Sequence, residues 1–174
     1  MTRGVSHLPV FGFGWLCLAA AGWLSGCGYS TQQLFPDRYR SVSVDIFENR
    51  TFYRDVEFDL TEAVVKQIEQ RTPYAHRPAN VADTVLTGAV TDVRTRQLSR
   101  TLTAGLPQEV ELIVTIDFEW KDQRTGEVLV GRRGFSGVGR YIPTQPVAEG
   151  LEVGQQAAAQ RLAQDLVSSL RGGW

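Results

Sequence analysis

The 174-residue chain has only two cysteines, two histidines and one methionine, and its charges nearly cancel. With 18 Lys+Arg against 19 Asp+Glu the net charge is -1, so no overall positive field draws the protein onto nucleic acid. Any affinity for anions must come from a local patch. Of the histidines only His76 lies beyond the first 26 residues, and no second histidine or cysteine pair completes a zinc site around it. Ser136 stands in "GFSGVG", which lacks the spacing of a nucleophile elbow and has no histidine partner. Glu109, Glu111, Asp117 and Glu119 could be mistaken for an acid–base pair, but their period-2 spacing reads as a solvated strand face. The inventory argues against an enzyme and against a metal site. At 43% hydrophobic and 21% charged residues the composition is that of a folded domain, without repeats or low-complexity tracts.

The start of the chain is different. Residues 1–26 carry Arg3 and no acid, and 8–24 are uncharged. That run is short for a membrane span of about 20 residues and is broken by Pro9, Gly12, Gly14 and Gly22. A positive start, an apolar stretch and small residues before a cut describe a signal peptide. It ends in Leu24-Ser25-Gly26-Cys27, which resembles the lipobox of bacterial lipoproteins. In such proteins the cysteine is acylated and becomes the new N-terminus. Cys17 leaves with the signal, so one cysteine remains and no internal disulfide is possible. The acyl groups on Cys27 are then the only non-protein groups expected. At roughly 0.8 kcal/mol per buried CH₂, two or three chains hold a protein firmly on a membrane. Gly28 in place of Asp implies, by the same resemblance, sorting to the outer membrane. Asn49-Arg50-Thr51 matches a glycosylation acceptor, but the bacterial leader sets that aside.

Residues 27–40 read as a tether and 41–174 as one domain. In 41–47, Val42, Val44 and Ile46 alternate with polar residues and predict a strand. Residues 48–55 predict a polar and aromatic loop. Leu60, Val64 and Ile68, with Ala63, mark the buried face of a helix over 57–71, stopped by Thr72-Pro73. Residues 74–83 read as loop. From Thr84, Leu86, Gly88 and Val90 share a face, then Val93 changes parity, which predicts a bulge near Thr91-Asp92. The next strand, 109–120, has every even position apolar from Val110 to Trp120. A turn at 121–126 uses Gly126 at positive φ. The strand 127–141 is interrupted by four glycines, which suggest bends or close backbone approach. A helix over 148–170 carries Leu151, Ala158, Leu162, Leu166 and Leu170, and Gly172-Gly173 ends it. The order β-α-β-β-β-α gives an α+β fold, a two-layer sandwich of two helices on a four-stranded sheet.

Several segments carry a family resemblance: "CGY", "SVSVDIFENRTFYRDVEFDLTEAVVKQI", "ADTVLTGAVTDV", "EVELIVTIDFEWKDQRTGEVL", and "AAAQRLAQDLVSSL" closing on "GGW". Together they resemble LptE, the lipopolysaccharide-assembly lipoprotein family of Gram-negative outer membranes. The strongest pieces are 47–51 and 124–129, and neither is catalytic. The resemblance implies a plug inside the large β-barrel LptD, a role in assembling that barrel, and contact with lipopolysaccharide during delivery to the surface. It implies the same two-layer fold. "VDIFENRT" also resembles segments of lipoproteins that activate peptidoglycan synthases or form secretion channels, so a regulatory binding module is the alternative.

Binding surfaces are the remaining place for function. Arg94, Arg96 and Arg100 share parity and project together if their strand stays extended. Arg132, Arg133 and Arg140 lie on the last strand, and a basic patch forms if the two strands are close. Guanidinium forks suit the phosphates and carboxylates of lipopolysaccharide. These arginines, apart from Arg140, are the candidate lipopolysaccharide contacts. Arg50, Phe52 and Tyr53 are candidate contacts to the barrel, Phe52 and Tyr53 as apolar anchors if exposed. The alternative is loop chemistry at 48–50, with Asn49 turning the backbone and Arg50 paired to an acid.

Overall fold

A computed structural model describes residues 38–100, 107–143 and 150–171. The signal peptide, Cys27, Gly28, most of the tether and Gly172-Gly173 lie outside these residues. The elements run β1 (Ser41–Val44), β2 (Glu48–Asn49), α1 (Val56–Arg71), β3 (Ala75–His76), β4 (Thr84–Arg100), β5 (Pro107–Asp122), β6 (Val128–Tyr141) and α2 (Leu151–Ser169).

The sheet is mixed, in the order β3-β1-β4-β5-β6, with β2 also on β4. The four-stranded expectation is corrected to six. The two additions, β2 and β3, are two residues each, too short to show a period, and both sit where loops were expected. β1 pairs parallel with β3 and β4, and β2 parallel with β4, whereas β4–β5 and β5–β6 are antiparallel.

β5 is the spine. Its even residues, Val110 to Trp120, are all buried, as their alternation predicts. The core they enter includes Leu60, Val64 and Ile68 of α1 and Ala158, Leu162 and Leu166 of α2. Each such aliphatic side chain contributes roughly 1.5–3 kcal/mol on burial. Trp120 packs against Tyr74 and Tyr39, at ring separations of 5.7 and 6.3 Å. Tyr39 donates its hydroxyl proton to Asp122, whose other oxygen accepts the Arg124 and Thr125 N–H groups of the turn. These bonds, the Thr125 N–H first, hold the Asp122 carboxyl below the ordinary carboxylate range. Gly126 takes the positive φ expected of it, 73°.

The register of β4 on β5 slips between Val90 and Asp92, so the parity change at Val93 is a bulge. α2 packs on β6 and α1. It approaches β6 closely, because a Cβ placed on Gly139 would lie 2.1 Å from the Gly154 carbonyl oxygen. Close backbone approach is therefore the reason for a glycine there.

One alternation fails. Ile46 is 63% exposed and Phe47 is buried, against the pattern begun by Val42. β1 ends at Val44, and the chain turns before rejoining β4 as β2, which moves Phe47 inward.

Candidate functional site

The helices cover one face of the sheet and leave the other open. The arginines of the sheet fall into two groups.

The first group is closed. Arg96 on β4 and Arg140 on β6 both reach Glu111 on β5, which stands between them in register. Arg96 Nε donates to Oε2 at 3.1 Å, its Nη2 is ion-paired to the same oxygen, and Arg140 Nε donates to Oε1 at 3.2 Å. Glu109 adds a longer contact to Arg140 at 3.8 Å. Glu111 is only 4% exposed, so it is not part of a solvated face as its spacing suggested. Two long arginine side chains from the flanking strands cover it. The Arg96 hydrogen bond, with a smaller contribution from Arg140, holds its carboxyl below the ordinary range. Arg94 pairs with Asp92. The shared parity of Arg94 and Arg96 stands, but Arg100 follows two register shifts, after Gln97 and after Ser99, and its side chain lies outside the described residues. The expected patch between β4 and β6 is also corrected. β5 separates them, and its single Glu111 carboxylate is shared by Arg96 and Arg140.

The second group is open. Arg50, Arg132 and Arg133 line a concavity of about 820 Å³, with Glu48, Asp117 and Glu119. Register explains the shape. Glu48, Ala89 and Asp117 form one cross-strand row, and Thr87, Glu119 and Gly131 form the next. Small residues at Ala89 and Gly131 leave space between the long polar side chains. Ile116 pairs with Phe135 and Phe118 with Arg132, so Arg133 and Gly134 together face Asp117. This bulge is held by Gly134, at φ 63°, whose N–H donates to Asp117 Oδ1 at 2.8 Å. Arg50 pairs with Glu48 at 2.7 Å and Lys121 with Glu119 at 2.6 Å. The guanidinium groups of Arg132 and Arg133 form no ion pair among the described residues. Arg50, Arg132 and Arg133 were expected to bind; Glu48, Asp117 and Glu119 were not recognised as their neighbours. The shared parity of Asp117 and Glu119 was the available signal.

Beside the concavity lies the loop after β2. Asn49 braces it: Oδ1 accepts from the Thr51 N–H and hydroxyl, and Nδ2 donates to the Tyr53 carbonyl and to Glu57. The expected loop chemistry is present, including the Glu48–Arg50 pair. The loop holds Phe52 fully exposed, with Ile46 and Phe58 also exposed. Tyr53 is half-buried and packs on the core, so it is not an exposed anchor. His76 and Ser136 are exposed on β3 and β6. Among the described residues no three His, Cys, Asp or Glu side chains are grouped to hold a metal ion. No described helix is long and apolar enough to cross a membrane.

Several solved structures share this fold. A Caulobacter crescentus CB15 protein described as a lipoprotein aligns with a TM-score of 0.52 at 19% identity, over 75% of this chain and 88% of that one. A point variant of the PelC dodecamer from Paraburkholderia phytofirmans gives 0.50 at 21% identity, over 78% and 92%. The Xanthomonas campestris protein XCC0632 gives 0.50 at 13%, over 80% and 90%. At such identities these likenesses concern the fold alone. No curated protein sequence matches the chain. The family model described as LptE, lipopolysaccharide-assembly, matches residues 39–171, which is nearly all of the folded part. The chain therefore belongs to the LptE lipopolysaccharide-assembly family.

Proposed function

We propose that this protein is an outer-membrane lipoprotein, acylated at Cys27, that assembles with an LptD-type barrel and contacts lipopolysaccharide on its way to the surface. The family match over residues 39–171 carries this reading. Two surface features support it. Phe52, held out by the braced loop, has the character of an anchor for a protein pocket. The arginines offer phosphate-binding forks on a surface that the helices leave free. The protein acts by binding, not by catalysis, and its lipid anchor keeps it on the periplasmic side of the membrane. The test is purification of the tagged full chain from detergent-solubilised envelopes, beside Cys27→Ala. A large barrel and lipopolysaccharide should accompany the acylated chain, and Cys27→Ala should lose palmitate labelling. Recovery of a peptidoglycan synthase, or of a homo-oligomeric ring without a barrel, would replace this reading with that of a regulatory or channel-forming module.

A further inference from the structure

We propose that the end of the domain from which the tether leaves is a docking face for the anionic headgroups of a phospholipid bilayer, with Arg38, Arg40, Arg77 and Arg124 as its contacts. Topology gathers these residues. The start of β1 lies beside β3 and the start of β4, where the Arg40 carbonyl accepts from the Ala75 N–H and the Arg77 N–H donates to the Val42 carbonyl. The turn between β5 and β6 joins the same end, because the Gln123 N–H donates to the Asp83 carbonyl. Arg71, in the last turn of α1, and Arg171, after α2, also end there, and Arg171 donates to the Arg71 carbonyl at 3.4 Å. Segments 38–41, 69–84, 122–127 and 168–171 thus carry six arginines against Glu69, Asp83, Asp122 and Glu127. Two of those acids are already engaged within the protein. Asp83 accepts from the Arg40 and Ser41 N–H groups and the Ser41 hydroxyl, and buried Asp122 holds Tyr39 and the turn. Arg40, Arg77 and Arg124 are exposed and form no ion pair among the described residues. Arg38, also exposed, lies over the Tyr39 ring at 4.7 Å and lines one cleft with Arg124. Val81, 62% exposed in the loop after Arg77, adds an apolar side chain beside the charges. The far end of α1 has the opposite sign. Asp55, Glu57, Asp59 and Glu62 crowd its start, roughly 24 Å along the 16-residue helix.

Arginines spread over a tether, a strand end and a turn suit a field of headgroups rather than one small ligand. A cluster of four or more basic residues near a membrane is drawn to an anionic bilayer, each adding to the attraction. Cys27 precedes Arg38 by only 11 residues, a span of at most about 40 Å, so this end stays within reach of a membrane that holds the cysteine. The choice of membrane rests on the acylation proposed above, whereas the patch rests on the geometry. Acyl chains fix how far the domain can stray but not how it is turned. The arginines set the orientation, with the acidic start of α1 and the Phe52 loop that runs into it facing away from the surface.

The experiment places the full chain, purified from envelopes, in vesicles of phosphatidylcholine and in vesicles of phosphatidylcholine mixed with phosphatidylglycerol. Phenylglyoxal then modifies accessible arginines, and mass spectrometry reads the rate at each one. Arg38, Arg40, Arg77 and Arg124 should react severalfold more slowly on the anionic vesicles, while Arg132 and Arg133 react equally on both. The protection should vanish in about 1 M salt, where the screening length falls to roughly 3 Å. Arg77→Glu with Arg124→Glu should return Arg38 and Arg40 to their rate on phosphatidylcholine. Arg77→Lys with Arg124→Lys keeps the charge and should keep Arg38 and Arg40 protected, so a poorly folded glutamate variant does not decide the result. Equal rates on the two vesicle types, equal protection of Arg132 and Arg133, or loss of protection in the lysine variant would each overturn the docking face. Flotation separates this result from the anchor. If the chain floats with phosphatidylcholine vesicles but its arginine rates ignore phosphatidylglycerol, the acylation stands and the docking face falls. If it floats only with anionic vesicles and the four arginines are protected there, the docking face stands and the acylation falls.

Discussion

The two arginine groups of the sheet use the same side chain for different ends. At Glu111 a carboxylate on the middle strand stands level with an arginine on each neighbour, and the three groups join β4, β5 and β6. About six residues along β5 the carboxylates are again present, but a bulge in β6 shifts the register, and Arg132 and Arg133 are left without ion-pair partners among the described residues. An arginine next to a matched carboxylate ties strands together. An arginine set out of register by a bulge is available to a ligand. The difference comes from backbone pairing rather than from composition.

The comparison can be sharpened by substitutions ordered from the largest effect on stability. Leu112→Ala, next to Glu111 but on the covered face, removes a fully buried side chain and should cost about 3 kcal/mol in urea unfolding. A cost under about 1 kcal/mol would mean that β5 is not the spine of the core. Asn49→Ala removes three hydrogen bonds within the Phe52 loop and one to Glu57 of α1, and should cost roughly 1–2 kcal/mol, with faster proteolytic cutting near Phe52. An unaltered cutting rate would show that the loop is held by something else. Glu111→Gln should lower the melting temperature at neutral pH. Because the folded carboxyl titrates below its ordinary value of 4.5, its contribution is present above that value and is lost as pH falls through the folded pKa. The gap between wild type and Glu111→Gln should therefore close in acid, and a gap that is constant with pH would break the assignment. Arg132→Ala with Arg133→Ala, both exposed, should change stability by less than about 0.5 kcal/mol. A large loss would mean that this group is structural as well.

Much of the fold was legible in the sequence because it is local. The alternation of β5 gave its buried face, the parity change at Val93 gave the bulge, and the glycines of β6 pointed to bends or close backbone approach, though not to α2 as the neighbour. What the sequence did not show is non-local. β2 and β3 are too short for a period and exist only because β1 and β4 lie beside them. Ile46 and Phe47 exchange places because the strand breaks after Val44, and no residue in that stretch marks the break. The burial of Glu111 needs arginines from two other strands, 15 and 29 residues away. The arginines stand out in the sequence, but their division into two groups depends on register. The concavity needs β2 next to β4, a parallel pairing that sequence spacing does not encode.

The most direct test of a lipopolysaccharide-binding role for the open face is amide hydrogen exchange of the full chain with and without lipopolysaccharide. Slower exchange is expected at 48–52 and 131–134, with α1 and α2 unchanged. Slowing confined to the two helices, or no change anywhere at saturating lipopolysaccharide, would contradict it.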